Sequence, residues 1–201
     1  MVQDTELTAA LLRQHMEDNA MDKDKIRKGV RLILEGVGED ITREGLVETP
    51  NRIASMYEEL AAGYTDDAAK HLQTKFHVED NDMVMEKDIH FYSFCEHHML
   101  PFYGTAAVAY IPDGEIVGLS KIARIADMAA KRLQLQERIG SDIAEIMAEV
   151  TGSDSIAVKI EGCHSCMTAR GIKKTAAKTL TTTFTGRFKT DASRQMRVMM
   201  Q

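Results

Sequence analysis

Apolar residues recur at helical spacing through the first third of the chain. From about Thr5 to Met16, Leu7, Ala10, Leu11 and His15 share one face. From about Asp22 to Glu35 the face is Ile26, Val30, Ile33 and Leu34, and Gly36 and Gly38 close the segment. Asp40 to Glu48 is a polar connection. Thr49-Pro50 then opens a third helix, with Thr49 as the cap and Pro50 in the first turn, where a missing N–H costs nothing. Ile53, Met56, Tyr57 and Leu60 form its stripe, and Gly63 stops it.

Near Lys75 the period changes. Phe76, Val78, Met83 to Met85 and Ile89 to Phe94 predict strands, with Glu79-Asp80-Asn81-Asp82 as a turn. Thr105 to Ile111 and Glu115 to Leu119 predict a hairpin about Pro112-Asp113-Gly114. Ser120 is expected to cap a helix with Ile122, Ile125, Ala129 and Leu133 inward. A second helix starts near Glu137, with Ile139, Ile143, Ile146, Met147 and Val150 inward, and ends at Gly152. Ser155 to Ile160 and the threonine-rich Thr175 to Phe184 complete the strands, and Asp191 is placed to cap a short terminal helix. The expected fold class is α+β: a mostly antiparallel sheet with two helices on one face, preceded by a helical extension. The division falls between residues 1–74 and 75–201. An open sheet has edges, and oligomerisation is a common cover for them. The chain shows no internal repeat.

Composition narrows the classes. Over 201 residues, 44% hydrophobic and 28% charged content describe an ordinary globular protein with room for a real core. A formal net charge of -6 excludes a general nucleic-acid binder, which needs a basic face. No apolar run is long enough to span a bilayer, and the acidic start Met1-Val2-Gln3-Asp4-Thr5-Glu6 lacks a secretory pattern. Three cysteines suit a reducing cytoplasm better than a disulfide framework.

The chemistry concentrates in two clusters. Cys95-Glu96-His97-His98-Met99-Leu100-Pro101 sets a thiol and an imidazole at C-x-x-H spacing, and Cys163-His164-Ser165-Cys166 follows downstream. Thiolate and imidazole are zinc ligands. One reading is a closed structural site of Cys95, His98, Cys163 and Cys166. The other is a three-ligand site, which leaves a position for water. If the segment Ile156–Cys166 stays extended, its alternation turns Cys163 away from His164 and Cys166, which favours three ligands. His97 and His164 are then surplus imidazoles able to move protons near neutral pH. An interaction protein that uses zinc only for assembly is the competing class.

Cys95-Glu96-His97-His98, Gly118-Leu119-Ser120-Lys121-Ile122-Ala123-Arg124, Gln134-Leu135-Gln136-Glu137-Arg138, and His164-Ser165-Cys166-Met167 with Ala169-Arg170-Gly171 stand in an order and spacing that resembles the GTP cyclohydrolase I family. Thr49-Pro50-Asn51-Arg52 resembles that family's upstream Thr-Pro-x-Arg. The likeness runs from about Asp22 to the C-terminus and departs at Cys163 and Ser165. It implies the tunnelling fold and a homodecamer with active sites at subunit interfaces. The implied reaction takes GTP and water to 7,8-dihydroneopterin triphosphate and formate, the entry to folate-type pterin synthesis. It also implies zinc on Cys95, His98 and Cys166, with His97 and His164 as the catalytic proton carriers. A related zinc protein that only opens the purine ring is the nearest alternative.

The resemblance gives the remaining residues their roles. Glu137 is expected to read guanine, since one carboxylate accepts from both N1–H and the 2-amino group; without the family it would be a first-turn carboxylate favoured by the helix dipole. Gln136 joins it in substrate binding. Ser120, Lys121 and Arg124 lie at a helix start suited to phosphate, and Arg170 and Arg52 add forked donors for a triphosphate. Protonation of guanine N7 is expected from His97 and proton transfer at the sugar from His164; the residues themselves allow the exchange of these two roles.

Overall fold

The computed structural model describes residues 21–66, 75–79 and 82–201. The helix expected from about Thr5 to Met16 lies outside them, as do the two central residues of the turn at 79–82. The chain forms two compact units, Met1–Thr65 and Asp66–Gln201.

In the first unit, α1 (Lys23–Gly36) is capped by Asp22, whose side chain accepts from the Lys25 amide at 3.0 Å. It runs beside α2 (Thr49–Leu60), tied by a Lys23–Glu58 ion pair and by Arg27 Nε donating to Asn51 Oδ1 at 2.9 Å. Two expectations are corrected. Thr49 is the first helical residue rather than the cap; Glu48 holds the cap position without accepting from a helix amide, its carboxylate taking Asn51 Nδ2 instead, and the Thr49 hydroxyl donates to the Gly45 carbonyl. Ile33 points outward, as do Leu32 and Val37, so only Val30 of the α1 stripe is buried.

The second unit carries β1 (Lys75–His77), β2 (Val84–Cys95), β3 (Pro101–Tyr110), β4 (Glu115–Val117), α3 (Leu119–Ala130), β5 (Leu133–Gln134) and α4 (Gln136–Thr151). It continues through β6 (Ile156–His164), the single turn α5 (Ser165–Thr168), β7 (Thr179–Phe184) and α6 (Ala192–Met199). The main sheet has the order β5-β2-β3-β6-β7 and is antiparallel except for the short parallel pair β2–β5. The expected hairpin about Pro112-Asp113-Gly114 does not form. β4 pairs with β1 in a separate two-stranded sheet, and β3 pairs with β2 and β6. Chain neighbours joined by a tight turn need not pair when a better-matched strand is available.

Alternation along β3 and β6 sorts their residues onto two faces. The register partners Val108 and Val158 enter the main core with Ile122, Ile125, Ile139, Ile143 and Met147 of α3 and α4. The next partners, Ala109 and Ala157, enter a smaller core on the opposite face with Phe188 and with Val198 of α6. The terminal helix therefore covers part of the face opposite α3 and α4. Its cap is as expected, with Asp191 accepting from the Arg194 amide. Ser120 does not cap α3; Gly118 precedes that helix with no side-chain bond.

Gly104 of β3 and Gly162 of β6 are register partners. A Cβ on Gly104 would overlap the Glu161 carbonyl and the Gly162 Cα, which are backbone atoms unable to rotate away. Gly104→Ala is expected to cost ~1–3 kcal/mol or more by overpacking. A fall in the midpoint of urea unfolding checks it; an unchanged midpoint would contradict the contact. No helix among the described residues is long and apolar enough to cross a membrane.

Candidate metal centre and active site

Cys95 is the last residue of β2 and is buried. Its carbonyl accepts from the amides of His98 (3.3 Å) and Met99 (2.8 Å), so the chain makes one helix-like turn that brings position 98 back over position 95. Met99 leaves that turn with φ 53°, and the Cys95 amide donates to Leu100 at 2.9 Å, closing the β2–β3 connection. The Cys95 Sγ lies 3.8 Å from His98 Nδ1 and 3.9 Å from His97 Nδ1. Arg138, in the first turn of α4, grips the carboxylate of Glu96 from two nitrogens at 2.6 and 3.3 Å. The turn is thereby pinned to the helix that carries Glu137. The guanidinium holds the Glu96 carboxyl below its ordinary range.

β6 stays extended only as far as His164, and Cys166 lies on the turn α5. The expectation of an extended chain through Cys166 is corrected at that point: Cys166 reaches the site because the backbone coils after the strand. The ligand atoms of Cys95, His98 and Cys166 all lie within 4.8 Å of one another, and they are the group of this kind found among the described residues. Cys163 sits on the strand opposite Tyr103, at the alternate position to His164. Two thiols and an imidazole form a donor set of the softness that zinc accepts. Burial, and after it the neighbouring Cys95 sulfur, push the Cys166 thiol up from its ordinary value.

His164 is held on two sides. Its ring stacks on Phe102, its cross-strand partner, with centroids 4.4 Å apart and planes 9° from parallel. Its Nε2 lies 2.8 Å from Gln136 Oε1. Burial lowers the His164 pKa, and the Glu137 carboxylate works against that shift. Glu137 itself is exposed in the first turn of α4. Gln136, expected among the substrate contacts, has a side chain turned into the protein, and the residue is 1% exposed.

The phosphate candidates belong to three different parts of the chain. Ser120, Lys121 and Arg124 occupy the first turns of α3, the end far from Ala130, which leads into β5 beside Cys95. At ~1.5 Å per residue, Ser120 stands roughly 15 Å and Arg124 roughly 9 Å along the helix from Ala130. Arg170 is exposed just after α5, close enough to Cys166 for its charge to favour the thiolate. Arg52 belongs to α2 in the first unit. The Glu96–Arg138 pair and the Phe102 stack were not foreseen. Arg138 sits in a quoted motif and Phe102 stands just after another, but only the strand register and the helix phase bring them to the site.

These features define an α+β protein with a candidate metal centre where β2, α4 and β6 meet, and with a histidine fixed beside it. The chain belongs to the GTP cyclohydrolase I family, whose pattern matches residues 26–201. A Clostridium perfringens protein named GTP cyclohydrolase 1 is 54% identical over 173 residues, covering 86% of this chain and 94% of its own. A Ruminiclostridium cellulolyticum protein of the same name is 51% identical over 191 residues, covering 90% and 98%. One from Geobacillus kaustophilus is 50% identical over 176 residues, covering 87% and 94%.

Proposed function

We infer that the chain is a zinc-dependent GTP cyclohydrolase I, converting GTP and water to 7,8-dihydroneopterin triphosphate and formate in the cytoplasm. The observation that carries this reading is the convergence of the Cys95, His98 and Cys166 donors within 4.8 Å in a chain of this family. The fold assigned to residues 75–201 is the tunnelling fold, with residues 1–74 as a helical extension and ten copies in the assembly. Exposed Tyr92, Tyr103 and Leu180 on the main sheet support association, since apolar surface of that kind favours burial. The length of α3 between Ser120 and the metal centre supports sites completed across subunits: Ser120, Lys121 and Arg124 of one copy would serve the centre of another.

A zinc ion on Cys95, His98 and Cys166 would supply Lewis acidity and a water acidic enough to act as nucleophile near neutral pH. The side chains carry the rest. Glu137 accepts from guanine N1–H and the 2-amino group and orients the base. His97 donates a proton to N7 as C8 is attacked, which makes that carbon more electrophilic. Removal of C8 as formate consumes water, and closure of the pterin ring returns water, leaving one consumed overall. His164 moves protons at the sugar oxygen while the ribose opens and rearranges. Lys121, Arg124, Arg170 and Arg52 hold the triphosphate.

Incubation with GTP tests the reading. Formate together with a pterin that fluoresces after oxidation is expected; formate alone indicates an enzyme that stops at ring opening, and neither product indicates structural zinc. Glu137→Gln is expected to lower kcat/KM for GTP by roughly 10²-fold with zinc content unchanged, because base donors lose a charged acceptor. ATP, whose edge does not match Glu137, is expected to be a poor substrate. Comparable turnover of ATP and GTP by the unaltered protein would sink the assignment of Glu137.

A further inference from the structure

We propose that Gln136 is a positioning residue that fixes His164 as the Nε2–H tautomer and so places the lone pair of the ring at Nδ1. The assignment follows from the surroundings of the Gln136 amide. Its Nε2 lies 3.1 Å from the Ile160 carbonyl, 2.9 Å from the Thr179 carbonyl and 3.2 Å from Thr181 Oγ1. Carbonyl oxygens only accept, so the atom facing two of them carries hydrogens. The other end of the amide is therefore an oxygen. It faces His164 Nε2 at 2.8 Å, and a bond between them requires the histidine to donate. Once Nε2 holds the proton, the neutral ring has its lone pair at Nδ1.

The packing leaves the amide no alternative. Gln136 is 1% exposed and spans β6 and β7 from the first residue of α4. Turning the amide over would set its oxygen against two carbonyl oxygens. Gly162 makes the reach possible, because a Cβ there would overlap Gln136 Oε1. Phe102 covers one face of the ring, so rotation about its long bond is blocked while the edge is held by Gln136. A side chain this committed to carbonyls and to a histidine has no donor left for a base or a phosphate. That separates Gln136 from its neighbour Glu137, which is exposed. The inference rests on the reading that His164 carries protons in the GTP reaction.

Two measurements test it. The first is 15N NMR of the imidazoles in the unaltered, metal-loaded protein, with the His164 signals assigned by their loss in His164→Ala. A protonated Nε2 with an unprotonated Nδ1 is expected; the opposite tautomer overturns the proposal whatever the activity. The second is kinetic. Gln136→Leu is expected to lower kcat ~10²-fold, within the range for a misdirected acid–base group, with KM for GTP within about twofold and zinc content and assembly size unchanged. In a His164→Ala background, Gln136→Leu is expected to cost nothing further, as coupled residues require. A rise in KM with unchanged kcat, or equal losses in both backgrounds, overturns the positioning role. If His164→Ala alone turns over GTP at the native rate, the reaction reading of His164 fails, and the tautomer result still decides the hydrogen bond.

Discussion

Cys166→Ser is expected to reduce bound zinc to background and to abolish pterin formation, and Cys95→Ser is expected to do the same. Cys163→Ala is expected to retain both. The three cysteines are chemically alike, so the difference is one of placement. Cys95 is anchored at the end of β2 by the hydrogen bond its amide donates to the Leu100 carbonyl and by the turn that returns His98 to it. Cys166 reaches the same point because the chain coils into α5 directly after His164. Their ligand atoms and that of His98 lie within 4.8 Å of one another. Cys163 precedes the coil and occupies the alternate strand position, opposite Tyr103. A hydroxyl in place of either ligating sulfur is a hard, poorly ionised donor and a weak zinc ligand. Metal analysis of the purified variants beside a GTP assay decides the matter. A Cys163→Ala protein that emerges without zinc would restore the closed four-ligand site.

The long elements were legible because their faces repeat. Ile122, Ile125 and Ala129 of α3, and Ile139, Ile143, Met147 and Val150 of α4, bury as expected, whereas Leu133 lies past the end of α3 in β5 and Ile146 is only half-buried. β5, with two residues, and β4, with three, are too short to show a period, and the partners of β1 and β4 are set by contacts distant in sequence. Spacing alone leaves three- and four-ligand sites open, and the choice of Cys95, His98 and Cys166 comes with the family resemblance; the local geometry that brings these three donors together could not be read from the sequence. The strand is expected over Ser155 to Ile160, and its extension through Cys166 enters only as a condition; the strand stops at His164 and Cys166 arrives on a helical turn. The direction a polar side chain takes is harder still to read. Gln136 and Glu137 are adjacent in one motif, yet one residue is 1% exposed and the other is exposed, because successive positions at the start of a helix point about 100° apart. The grip of Arg138 on Glu96 depends on the same phase.

His97→Ala and His164→Ala are expected to separate the early from the late chemistry, and both are expected to keep their zinc. Neither histidine is needed for the three-donor cluster, although His97 Nδ1 stands as close to the Cys95 sulfur as His98 Nδ1 does, 3.9 against 3.8 Å. His97 lies exposed on the turn, where a bound base could be reached; His164 is stacked on Phe102 and fastened to Gln136. A general acid or base contributes ~10²–10⁴-fold, so His97→Ala is expected to suppress formate and pterin together by about that factor. His164→Ala is expected to lose pterin to the same degree while a ring-opened species accumulates, since the sugar steps come after the base has opened. Loss of the triphosphate contacts has a different signature. Lys121→Ala, Arg124→Ala and Arg170→Ala are expected to raise KM for GTP, and guanosine is expected to be a far poorer substrate than GTP for the unaltered protein. Chromatography of single-turnover products distinguishes these cases. Formate at the native rate from His97→Ala, with none from His164→Ala, would reverse the two roles. Loss of zinc from both would make these histidines ligands and overturn the proton-transfer scheme, because a group bound to the metal through its lone pair has none left with which to accept a proton.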